Sequence, residues 1–101
     1  MTGPDENIAL ALRAFALQVQ KATEASDLNP SSNRISEEGR QQLLQIAKGI
    51  EALAEHSETA SYQAFVRLLR KAERAGATIP SNTVFTVGRA FIDRLYVRPS
   101  G

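Results

Sequence analysis

Apolar residues recur at spacings of three and four along most of this chain, the period of helices that each bury one side. Ile8, Leu12, Phe15, Val19 and Ala22 form the first such stripe and predict a helix from about Pro4 to Ala25. Pro4 suits a first helical turn, and Asp5 and Glu6 offset the positive helix start. Leu10 and Leu17 lie seven residues apart on nearly the opposite side, so this helix is expected to be contacted on two sides. Residues 26–34 (SDLNPSSNR) collect turn formers and predict a surface loop.

Ser36 reads as the N-cap of a second helix, with Glu37 and Glu38 in its first turn and an end near His56. Its stripe is Leu43, Ile46, Ala47, Ile50, Leu53 and Ala54, and Gly49 falls on the polar side of that wheel. Ser57, Thr59 and Ser61 are rival caps for a third helix, whose apolar face is Tyr62, Phe65, Val66, Leu69 and Ala72. Gly76 stands where a left-handed stop is expected. Ser81 or Asn82 then caps a fourth helix ending near Val97, before Pro99.

The segment Thr83, Val84, Phe85, Thr86, Val87 has strand-like composition, but the wheel favours helix. Val84, Phe85, Val87, Gly88, Phe91, Ile92, Leu95 and Tyr96 fall within about half a turn, opposite Asn82, Thr86, Arg89 and Asp93. An apolar arc that wide exceeds what one small bundle normally covers.

Composition agrees with helix: of the residues in this chain of 101, 15 are alanine and only five valine. The expectation is an all-α fold, a compact bundle of four helices at about 4–25, 36–56, 60–75 and 82–97, in a single domain over 1–101. The absence of cysteine excludes disulfides, thiolate metal sites and cysteine nucleophiles. The longest apolar run, residues 8–12, falls far short of the roughly 20 residues that cross a bilayer, and no basic segment precedes it as in a signal peptide. A cytoplasmic protein without membrane contact is therefore expected.

Net charge is +1, but it is unevenly distributed. Residues 1–60 hold five basic and nine acidic side chains, a balance of −4; residues 61–101 hold seven and two, a balance of +5. Arg67, Arg70, Lys71 and Arg74 occupy about 100° of the third helix, and Arg89, Arg94 and Arg98 continue the basic character. These cations either form a solvated face, pair with Glu51, Glu55 and Glu58 of the second helix, contact phosphates, or meet an acidic protein.

Catalytic signals are missing. The glycines form no phosphate-binding loop, Glu37 and Glu38 point to different sides, and His56, the only histidine, has no partners at metal-ligand spacing and no nucleophile elbow beside it. Its expected role is at a helix C-terminus. No enzyme activity, metal, cofactor or small-molecule substrate is expected. The leading expectation is a binding or accessory protein that forms a homodimer or docks on a larger protein through Phe85, Gly88, Phe91 and Tyr96, with Leu10 and Leu17 as a second contact and the basic face orienting the partner. The alternative is a nucleic-acid-binding protein, a divergent helix-turn-helix regulator or a small ribonucleoprotein subunit, using Arg67, Arg70, Lys71, Arg74 and Arg89. For the helix-turn-helix, the 76–80 connection is longer than usual.

Overall fold

The computed structural model describes residues 4–28 and 36–96. Four helices account for most of them: α1 (Pro4–Leu28), α2 (Glu37–Glu55), α3 (Tyr62–Arg74) and α4 (Ser81–Tyr96). The fold is an all-α four-helix bundle, and residues 83–87 are helical. The helix α1 runs three residues beyond the expected end, taking in Ser26, Asp27 and Leu28; the rest of the expected loop, and Val97, Arg98 and Pro99, lie outside the described residues.

The helix ends follow from side-chain and backbone chemistry. Ser36 accepts a hydrogen bond from the Gly39 amide at 3.0 Å, satisfying one of the donors a helix start leaves free. Of the three rivals before α3, Ser61 is the cap, accepting from the Ala64 amide at 3.1 Å. Ser57 and Thr59 belong instead to the turn after α2, where Thr59 N–H donates to the His56 carbonyl at 2.9 Å and Ala60 N–H to that of Ser57 at 3.2 Å. At the end of α3, Gly76 has φ 106°. Its amide donates to Glu73 O and the Ala77 amide to Ala72 O, both at 3.0 Å, the paired bonds of a Schellman stop.

The start of α4 differs from the expectation by one residue. The Pro80 carbonyl accepts from Thr83 N–H at 3.0 Å and Val84 N–H at 3.2 Å, so Pro80 takes the cap position and neither Ser81 nor Asn82 does. A cap residue needs its carbonyl and not its amide, which proline lacks.

Helix α1 packs against α2 and α4, and α2 against α3. Asp5 reaches Arg94 while Leu10 and Ala14 lie beside Phe85, so α1 and α4 are antiparallel. Leu68 covers Gly49 while Arg74 borders Gln42, which makes α2 and α3 antiparallel. Gly49 is thus half-buried against Leu68, 3.6 Å from where its Cβ would stand, and not on a polar side.

The α1 stripe fills the centre: Ile8, Leu12, Phe15 and Val19 are fully buried, joined by Leu43, Ile50, Phe65 and Val87. Phe15 meets Phe65 edge-on at 5.3 Å between centroids, and Phe65 stacks on Phe91 at 6.3 Å. Aromatic pairs in such arrangements add about 0.5–1.5 kcal/mol beyond their buried area. Tyr62 closes the cluster, 5.8 Å from Phe65 and 6.0 Å from Phe91. No described helix is long and apolar enough to cross a membrane.

Candidate functional site

The half-turn apolar arc of α4 is divided by the bundle. Val87 and Phe91 point into the core, and Val84 and Gly88 are half-buried. Phe85, Leu95 and Tyr96 remain 66%, 81% and 80% exposed, with Ile92 also exposed. Phe85, Ile92 and Tyr96 fall within about 40° of one another on the wheel, so they form a ridge along the outside of the helix. This corrects the expected partner contact at Phe91: at 3% exposure, between Phe65, Tyr62 and Arg94, its ring belongs to the interior.

Two shallow grooves flank the ridge. One, of about 550 Å³, is bordered by Tyr62 of α3 and by Phe85, Gly88, Ile92 and Tyr96 of α4. Tyr62 lies over Gly88, with a ring carbon 3.8 Å from where a Cβ on Gly88 would stand. The other, of about 400 Å³, runs between α1 and α4 and is bordered by Leu10, Ala14, Phe85 and Arg89. Leu10 therefore joins the α4 surface and is not a second, remote contact. Leu17 is also exposed, but it lies seven residues further along α1, about 10 Å, level with the first turn of α4.

Charge on this surface is internally balanced. Arg89 Nε donates to Asp93 Oδ1 at 3.3 Å, one turn on. Arg89 is thereby separated from the α3 cations with which it was grouped. Arg94 serves the interior: it donates to the carbonyl oxygens of Ser57, at 2.8 Å, and Ala60, approaches Asp5 at 3.5 Å and lies 5.2 Å over the Phe91 ring. Sequence reasoning missed this role, and the only available signal was one arginine at the edge of an apolar arc.

Arg67, Arg70, Lys71 and Arg74 are all exposed. Among the described residues they make no ion pair; the pairs there are Arg40–Glu37, His56–Glu58, Arg89–Asp93 and Arg94–Asp5. Of the alternatives for these cations, pairing with Glu51, Glu55 and Glu58 is not seen among the described residues; Glu51 accepts from Gln20 at 3.1 Å and Glu58 faces His56 at 4.0 Å. His56 is exposed and caps α2 through its backbone, donating to Ala52 O at 3.2 Å. Among the described residues no group of three or more acidic, histidine or cysteine side chains is placed to hold a metal ion.

No protein-family model, curated protein or solved structure matches this chain.

Proposed function

We propose that this protein is a small, non-catalytic helical association module whose outer α4 surface receives a second copy of the same chain. The observation that carries this reading is the ridge of Phe85, Ile92, Leu95 and Tyr96, four large apolar side chains exposed along one helix. Contiguous apolar surface of this kind, bordered by polar groups, is typical of contact sites. Aromatic residues such as Tyr96 and Phe85 are suited to anchor an interface.

A second copy is favoured over an unrelated partner by the charge on the surface. With one cation and one anion, Arg89 and Asp93, the surface is neutral and carries its own complement. In an antiparallel pair of α4 helices with a twofold axis level with Phe91, Arg89 of each copy comes opposite Asp93 of the other, as an isologous contact requires. The α3 face has no such property, because four cations would meet four.

Sedimentation velocity across micromolar to millimolar concentration tests the reading. A dimer is expected, converted to monomer by Phe85→Glu with Tyr96→Glu while helical circular dichroism is retained. A wild-type chain that remains monomeric throughout that range overturns it.

A further inference from the structure

The outward side of α3 carries Arg67, Arg70, Lys71 and Arg74 on a ridge about 10 Å long. On one flank lies a groove of about 460 Å³ bordered by Tyr62, Gln63, Val66 and the four cations. On the other, a groove of about 520 Å³ shares Lys71 and Arg74 and adds Gln42 and Gln45 of α2. We propose that this ridge and its grooves bind the backbone of a single-stranded nucleic acid, with Tyr62 stacking a base at one end. The four cations lie on α3, away from the α4 ridge, while Tyr62 also borders the groove beside that ridge.

Three of the four cations are arginines, whose planar forks match phosphate oxygens in pairs. Tyr62 is 53% exposed and its ring is held by contacts with Phe65 and Phe91, so an aromatic side chain is fixed in place beside the cations. A charged groove with an adjoining aromatic platform is the arrangement that takes single strands. Duplex bases are already stacked on one another and leave Tyr62 without a use. An acidic peptide needs no platform. A bilayer surface needs large exposed aliphatic side chains interleaved with the cations, and here the aliphatic ones that border the grooves, Val66, Leu68 and Ile46, are half-buried or buried.

The test is fluorescence anisotropy with labelled oligo(dT) and oligo(U) of about 12 nucleotides, within the usual range of single-strand sites. Three to four phosphate contacts give a log–log salt slope of about −2.1 to −2.8, so a tenfold rise in salt should weaken binding about 100- to 600-fold. Arg67→Ala with Arg70→Ala and Arg74→Ala, all at exposed positions, should abolish binding and leave the circular dichroism unchanged. Tyr62→Ala should weaken it roughly 5- to 150-fold, and Tyr62→Phe, which keeps the ring, should restore it. Absence of binding at low salt overturns the proposal. So does tighter binding to a duplex of the same length, to polyglutamate or to anionic phospholipid vesicles, or a triple alanine variant that binds as well as the wild type.

Discussion

Arg94 lies over the ring of Phe91, one of the two α4 side chains that reach deepest into the core, with its guanidinium carbon 5.2 Å from the ring centroid. The same guanidinium donates to the backbone carbonyls of Ser57 and Ala60, in the turn between α2 and α3. One side chain thus ties the last helix to the connection between α2 and α3.

Replacing Arg94 with alanine should destabilise the fold by about 2–3 kcal/mol, because charge-assisted hydrogen bonds and the stacking contact are lost together. Asp5→Asn should cost less than about 1 kcal/mol, since that partner is half-exposed and its pairing is screened. Urea unfolding of both variants checks the contrast, and equal losses would count against a role centred on the two carbonyls.

Phe85→Glu and Phe91→Glu should behave oppositely although both sit on one helix. The first places a charge in solvent, so at concentrations where the chain is monomeric stability should change by less than about 0.5 kcal/mol, while the sedimentation coefficient should fall where the wild type is a dimer. The second buries a carboxylate among Phe65 and Tyr62 and should cost more than about 3 kcal/mol or prevent folding. Thermal melts monitored by circular dichroism separate them.

Two glycines should respond to alanine with opposite signs. Gly49→Ala gains helix propensity and an ordinary contact with Leu68 Cδ2 at 3.6 Å, and should stabilise by about 0.5–1 kcal/mol. Gly76→Ala meets φ 106°, a conformation that a Cβ opposes, and should destabilise by about 1–2 kcal/mol. Paired denaturation curves give both values.

Ser36→Ala and Ser61→Ala each remove the acceptor for a free amide at a helix start, at an expected cost of about 0.5–2 kcal/mol. Thr59→Ala should cost less, because its hydroxyl only donates to the His56 carbonyl within an exposed turn. Melting temperatures of the three variants test that order.

The sequence made the four helices and their buried stripes legible because every inward position of α1 and α2 recurs at helical spacing. Ser36 and Gly76 could be placed because each has a local, backbone-directed role. The wheel of α4 was less informative: it fixes the width of an apolar arc but not which edge a bundle will cover, so Phe91 and Tyr96 looked equivalent. Gly49 was misplaced for a related reason. The α2 helix touches two neighbours, α1 and α3, and its covered arc is wider than its apolar stripe. The role of Arg94 depends on carbonyls more than thirty residues away, which periodicity cannot report.

The pairing of α1 with both its immediate successor and the most distant helix has a consequence for synthesis. While the ribosome is still making α3 and α4, the flank of α1 around Ala11 and Ala14 that will later meet Ala90 of α4 has only α2 to shelter it. The nascent chain must therefore carry an open hydrophobic seam until its final helix has emerged.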